Sequence, residues 1–375
     1  LNLLLSRRHI VVHFGEPLPL ASLAATRPNR RIRKAARLLR VQFRNQKVAR
    51  LGPDYSHRRT LVDQVVASRA VQAIITAAEP SEVKKLNKSA RKAALTIASH
   101  MSYPTIRVLE SLLTWFWNHI YDGVDVRGVD QVRRIAQTHT LVYVPSHRSH
   151  VDYLLLSYLL FHNGLMIPHI AAGDNLNLPL LGPILRRGGA FFMRRSFRND
   201  PLYAAVFAEY LYQVYRRGHS VEFFPEGGRT RTGRLLRART GLLKMTLKHS
   251  ARGLPRPIAF VPVYLGYEKL IEAGSYLDEL RGGEKRGESM GDVFRGLRLI
   301  RQNFGRVTVS FAEPIDLEAW RARGETQISH LGDEVLQRIN ANASVNPINL
   351  VALVLLATPR LAIEERALTS QIHTY

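Results

Sequence analysis

The stretch Leu141-Val142-Tyr143-Val144-Pro145-Ser146-His147-Arg148-Ser149-His150-Val151-Asp152 decides how the chain is read. Its opening residues are apolar, rich in valine and few in number, which predicts a buried strand ending at Pro145. The apolar run that follows, Tyr153 to Phe161, is long enough for a helix, with Asp152 near its start. A polar cluster on the turn between a strand and a helix stands where open α/β sheets hold their ligands.

Four residues separate His147 from Asp152. Across a turn that enters a helix, that spacing can return the carboxylate to the imidazole. An aspartate on one ring nitrogen fixes the tautomer and stabilises the imidazolium, leaving the other nitrogen to accept a proton from a hydroxyl. The chain has no cysteine and no G-x-S-x-G nucleophile turn, so the simplest completion takes the hydroxyl from a substrate. His147 is then a general base with no covalent enzyme intermediate. An isolated His–Asp pair also occurs in plain surface turns. His150 invites a metal reading with His147, but no further set of ligands follows at metal spacing.

Three later blocks share the same layout. Gly189-Ala190-Phe191-Phe192-Met193-Arg194-Arg195 is a short apolar strand ending in two arginines. Phe223-Phe224-Pro225-Glu226-Gly227-Gly228-Arg229-Thr230-Arg231-Thr232-Gly233 is a strand that runs into a loop rich in glycine and arginine. Ile258-Ala259-Phe260-Val261-Pro262-Val263-Tyr264 reads as a strand broken by its proline. Guanidinium groups bind phosphate in pairs of hydrogen bonds, and glycine lets backbone N–H groups approach an anion, so each arginine block suits a phosphate. Taken singly, each also reads as a solvated loop.

Together the four blocks resemble the glycerolipid acyltransferase superfamily, whose first block is H-x-x-x-x-D. The segments 144–158, 169–177, 189–195 and 226–236 are similar to the bacterial membrane-bound glycerol-3-phosphate 1-O-acyltransferases, and the likeness covers roughly residues 30 to 360. The resemblance implies the acyltransferase fold, an α/β domain with a mixed, largely parallel sheet flanked by helices. It implies His147 as base and Asp152 as its partner. It also implies a glycerol-phosphate site from Arg194, Arg195, Glu226, Gly227, Gly228 and Arg229, and Pro262 as support near the acyl donor. Arg148 and Arg231 are weaker candidates for phosphate or donor binding. The implied reaction moves an acyl group from acyl-CoA or acyl carrier protein to the sn-1 hydroxyl of glycerol 3-phosphate, with no metal and no cofactor beyond the donor. Dihydroxyacetone phosphate or a lysophospholipid is the alternative acceptor. A basic protein that binds membrane or nucleic acid without catalysis is the reading from another class.

Composition bounds these choices. The chain has 375 residues and a formal charge of +24, which implies an anionic partner. No nucleic-acid-binding motif accompanies the basic runs, so anionic lipid and acidic acyl donors fit better. The lack of cysteine suits a reducing compartment and excludes disulfides. No run reaches the roughly 18 uninterrupted apolar residues of a spanning helix. These features predict a protein that lies on a membrane rather than spans it, and the resemblance implies the cytoplasmic side of the cell inner membrane.

Along the chain, residues 9–20 faintly echo 307–317: Phe14, Glu16, Pro17 and Leu20 align with Phe311, Glu313, Pro314 and Leu317. Residues 1–25 are therefore expected to end an earlier, degenerate acyltransferase-like domain. Residues 26–120 are expected to be a helical, membrane-associating region. Within it, Ile32, Ala36, Leu39 and Phe43 recur at helical spacing among Arg33, Arg37, Arg40 and Arg44, a pattern that suits either an anionic lipid surface or packing on a core. Leu61, Val65, Val66, Ala70 and Ile74 make one further stripe, and Ile106, Leu109, Leu112, Leu113, Phe116 and Trp117 another. Residues 121–320 alternate strand and helix and form the catalytic domain, with 272–291 as a polar surface loop. Residues 321–375 are expected to be helical and to continue into a longer protein.

Overall fold

The computed structural model describes residues 28–51, 58–197, 199–281, 304–358 and 362–374. The expectations for residues 1–25, and for a helix over 292–303, lie outside them. By internal packing the chain forms two units, residues 1–48 and 49–375. The first contributes most of helix α1, Pro28–Leu51. Proline at its first position has no N–H to lose and a φ suited to a helix start. Ile32, Leu39 and Phe43 on α1 are exposed.

The second unit opens with α2 (Arg58–Val66), α3 (Arg69–Thr76), α4 (Pro80–Ile97) and α5 (Tyr103–His119). The predicted stripe over 61–74 is interrupted at Ala67–Ser68, and beyond the break Val71 and Ile75 are the buried residues, one position later than the unbroken period requires. Trp117 of α5 is buried, while Trp115 is partly exposed.

Strand and helix then alternate: β1 (Val124–Arg127), α6 (Val129–Ala136), β2 (Thr140–Pro145), α7 (Asp152–His162), β3 (His169–Gly173), α8 (Leu181–Gly188), β4 (Ala190–Met193), α9 (Pro201–Arg216), β5 (Val221–Glu222), α10 (Thr240–Ala251) and β6 (Ile258–Tyr267). There follow α11 (Ala273–Leu280), β7 (Val307–Phe311), β8 (Ile315–Asp316), α12 (Leu317–Ala322), α13 (Ile328–Ala341), α14 (Pro347–Ala357) and α15 (Glu365–Ile372). The sheet order is β1-β7-β6-β2-β5-β3-β4, with β8 also on β6. β6, β2, β5, β3 and β4 are parallel, and β7 and β8 run antiparallel to β6. This is the expected mixed, largely parallel sheet.

Every residue of β2 is buried, because both faces of the sheet are covered. Val142 and Val144 pack on one face with Val221, Phe223 and Phe260, beneath α2–α4, α9 and α13. Leu141 and Tyr143 pack on the other with Val261 and Val263, beneath α5, α6 and α7. Burial of such side chains stabilises by about 1.5–3 kcal/mol each, which fixes the register of β2 and with it the position of its carboxyl end.

β6 is not broken by Pro262. It runs through that residue, with Pro262 in register with Val144. On its other side β6 pairs with β8 at Ala259 and Phe260, then with β7 from Val263 onward. Pro262 falls between these partners, where no ladder bond needs its missing N–H. Its carbonyl still accepts from the Ala312 N–H at 2.9 Å. The expected surface loop at 272–291 also differs, since 273–280 form α11; residues 282–291 lie outside the described residues.

Candidate active site

β2 delivers the site. After Pro145 its pairing with β6 ends in one backbone bond, from the Ser146 N–H to the Val263 carbonyl at 2.9 Å, and one side-chain bond, in which Ser146 Oγ accepts from the Leu265 N–H at 3.0 Å. The chain then turns through residues 147–151 into α7. Asp152 Oδ2 organises the turn by accepting from the backbone N–H groups of Arg148 at 2.7 Å and Ser149 at 2.8 Å. The same oxygen lies 2.9 Å from His147 Nδ1. The H-x-x-x-x-D spacing is therefore that of a turn in which one carboxylate oxygen gathers two backbone donors and the ring. Its other oxygen, Oδ1, accepts from Tyr267 Oη at 2.7 Å. Asp152 is fully buried, and its place in the first turn of α7 puts its charge at the favourable end of the helix dipole.

The third sequence block encloses His147. Glu226 Oε1 accepts the His147 N–H at 2.8 Å, and Oε2 accepts the Leu236 N–H at 2.7 Å, so one buried carboxylate clamps both loops. Burial holds the Glu226 carboxyl above its usual range, partly offset by those backbone donors and by the nearby His147 and Arg148. The His147 carbonyl accepts from the Thr230 N–H at 3.0 Å. The Phe224 ring stacks on the imidazole, with centroids 3.8 Å apart and planes at 20°. This turn needs a glycine at 227: φ is +66°, and a Cβ there would stand 2.7 Å from Arg239 Cγ.

α11 braces the other side. Glu272, immediately before it, accepts from Ser149 Oγ at 2.9 Å and from the His150 N–H at 2.8 Å. Tyr276 Oη donates to the Arg148 carbonyl at 2.9 Å and accepts from Arg229 Nη1 at 2.6 Å. Arg231 pairs with Glu279 at 3.0 Å and donates to the Arg229 carbonyl at 2.7 Å. The structure thus brings His147, Asp152, Glu226, Arg148, Arg229 and Arg231 together.

Arg194 and Arg195 lie apart. They leave the end of β4, separated from β2 by β5 and β3, which is roughly 14 Å across the sheet. Both are exposed; Arg194 pairs with Asp200 at 2.8 Å, and its guanidinium lies 4.2 Å from the centre of the Tyr203 ring. Pro262 is buried within β6 beside Val144, below the level of His147. Gly228 adjoins the turn, with open space where a side chain would stand.

Several residues at the site carried no sequence signal that singled them out. Tyr267, the last residue of β6, and Glu272, in the loop after it, reach the site by tertiary contact alone, although polar residues at a strand's carboxyl end are the place to look. Glu222 sits inside the hydrophobic run that ends β5, in register with Tyr143 and alternating with the inward-facing Val221 and Phe223. It is fully buried, and neither carboxyl oxygen has a hydrogen-bond partner among the described residues. Burial, and secondarily the charge of Asp152, push its carboxyl well above the usual range. Among the described residues no group of three or more His, Cys, Asp or Glu side chains is arranged to hold a metal ion. No described helix is long and apolar enough to cross a membrane.

An α/β unit that presents a histidine–aspartate pair and an arginine-rich loop at the carboxyl ends of parallel strands has the layout of an acyltransferase domain. Residues 123–266 match the family model described as acyltransferase. Residues 1–52 match the glycerol-3-phosphate acyltransferase PlsB N-terminal domain, and residues 276–375 match the glycerol-3-phosphate acyltransferase C-terminal region. A glycerol-3-phosphate acyltransferase of Ectopseudomonas mendocina is 48% identical over 397 residues, covering all of this chain and 48% of that protein. One from Pseudomonas putida is 48% identical over 398 residues with the same coverage. The chain spans about half the length of these relatives. A crystal structure of the 1-acyl-sn-glycerophosphate acyltransferase of Thermotoga maritima overlaps 84% of this chain and all of its own, at 15% identity and a TM-score of 0.37, too loosely to carry any inference. Along its whole length the chain is similar to bacterial glycerol-3-phosphate acyltransferases.

Proposed function

We propose that the chain carries the acyl-transfer site of an enzyme that moves a fatty acyl group from acyl-CoA or acyl carrier protein to the sn-1 hydroxyl of glycerol 3-phosphate. The observation that carries this reading is the 2.9 Å contact of His147 Nδ1 with the buried Asp152 carboxylate. A carboxylate only accepts, so Nδ1 bears the proton and Nε2 keeps its lone pair for a substrate hydroxyl. His147 takes that proton as the oxygen attacks the thioester carbonyl. The C–S bond then breaks, and the thiolate leaves with the proton from His147. Asp152 holds the ring and stabilises its charged form.

The other candidates take graded roles. Glu226, with Gly227 and Gly228 in its turn, holds the loop against His147. Arg148, Arg229 and Arg231 stand on the loops that meet there and are positioned to face the anionic parts of the substrates. Arg194 and Arg195, acting from the sheet edge, gather anionic substrate toward the site rather than hold it beside the base. Pro262 supports the strand beneath. The donor is a cosubstrate, and the reading calls for no metal. α1 suits a surface of anionic lipid on the cytoplasmic face of the inner membrane, because its exposed apolar residues are interleaved with arginines.

The test is product formation from labelled glycerol 3-phosphate and palmitoyl-CoA in anionic lipid, beside His147→Ala. The wild type is expected to form lysophosphatidate, and the variant to be slower by about 10²–10⁴. Equal turnover in the two would overturn the base assignment.

A further inference from the structure

A cavity of about 320 Å³ is lined by Arg148, the residue after His147, and by Gly233, Arg234, Leu235, Tyr264 and Asn340. Its polar groups are two guanidiniums, an amide and a phenol, with no carboxylate among them. Such a lining attracts an anion, and paired guanidiniums match the oxygens of a phosphoryl group. The volume exceeds what a phosphate with a three-carbon chain occupies.

The Arg148 side chain is built into this wall. Its guanidinium lies 5.1 Å from the centre of the Tyr264 ring, and its Nε is buried without a hydrogen-bond partner among the described residues. A buried donor in that state is a group awaiting an acceptor. Gly233 lies against Arg148, its Cβ position 3.7 Å from Nη1, and its φ of +79° is one that residues with a side chain rarely adopt. The Arg148 backbone is held at both ends, its N–H by Asp152 and its carbonyl by Tyr276. The carboxylate that orients His147 therefore also fixes the root of Arg148, which sets an anion bound there at a constant distance from the base. Arg229 donates to Tyr276 and Arg231 to Glu279, and neither guanidinium lines this cavity.

We propose that the cavity between Arg148, Arg234, Tyr264 and Asn340 is a phosphoryl-binding subsite that seats one substrate against His147, an assignment that rests on the acyl-transfer reading. The phosphoryl group arrives either on the acceptor or on the phosphopantetheine arm of the donor, and the same side chains suit both.

Calorimetric titration of the chain with inorganic phosphate, glycerol 3-phosphate and CoA, at constant ionic strength, tests the proposal. Arg234→Gln and Asn340→Asp are the variants, and thermal unfolding checks that each is folded. Asn340→Asp preserves size and adds a charge that repels phosphate, so it separates electrostatic from packing effects. Each variant is expected to weaken inorganic phosphate at least about tenfold. A matching loss for glycerol 3-phosphate alone identifies the acceptor as the source, and for CoA alone the donor; either supports the subsite. Wild type that binds inorganic phosphate in this way but neither substrate leaves the subsite standing and removes the acyl-transfer reading. Phosphate binding unchanged in both folded variants, or absent from the wild type, overturns the subsite.

Discussion

Asp152 has both carboxylate oxygens in use: Oδ2 faces His147 Nδ1 and two backbone N–H groups, and Oδ1 faces Tyr267 Oη. An asparagine would have to turn its NH₂ toward at least one of these donors. Asp152→Asn is therefore expected to lower turnover and also to destabilise the fold by about 1–3 kcal/mol, as an unmatched buried polar group does. Denaturant unfolding beside an activity assay separates the two effects. A variant of wild-type stability with full turnover would show that the carboxylate is not needed. Glu222 has the opposite character, a carboxyl with no partner among the described residues and a titration pushed upward by burial. Between the unfolded and folded titration points the native state holds a proton that the unfolded chain has lost, so stability falls as pH rises through that window. Glu222→Gln, which keeps shape without titrating, is expected to be more stable than wild type at neutral pH. That advantage should shrink toward pH 4.5, the ordinary value for the group. Equal stability of the two proteins across the range would show that Glu222 carries no such penalty.

At the scale of elements, the site is a junction of three strand exits held by carboxylates that accept backbone N–H groups. Glu226 ties the β2 turn to the loop after β5, and Glu272 ties the same turn to the start of α11. Because Glu272 touches Ser149 Oγ and the His150 N–H rather than His147, it is a positioning residue. Glu272→Ala is expected to lower kcat/KM by about tenfold with the pH profile of wild type, as a loosened turn misplaces the base. Initial rates over a range of pH check this. An unchanged kcat/KM would mean that the turn holds its shape without the brace.

At the scale of the molecule, positive charge and exposed apolar side chains coincide on α1. Each arginine near an anionic membrane contributes on the order of 1 kcal/mol. Replacing Arg33, Arg37, Arg40 and Arg44 together with Glu is expected to release the protein from anionic vesicles in a flotation assay and to leave binding to neutral vesicles unchanged. Retained binding would locate the membrane contact elsewhere.

The sequence by itself determined the α/β class and the local shape of the site. Runs such as Leu141–Val144 are buried on both faces, and Asp152 lies close enough along the chain for its carboxylate to close the turn on His147. Those are properties of neighbours in sequence, and a period or a spacing records them. Only the tertiary structure decided that Tyr267, Glu272 and Tyr276 complete the surroundings of His147, that Glu222 lies buried beneath them, and that Arg194 and Arg195 stand three strands away. It also decided that Pro262 interrupts nothing, because the strand changes partners at that residue. The physical reason is strand order: β2 lies between β5 and β6, segments remote from it in the chain, so the groups that meet at its end are chosen by sheet pairing, which local pattern does not encode.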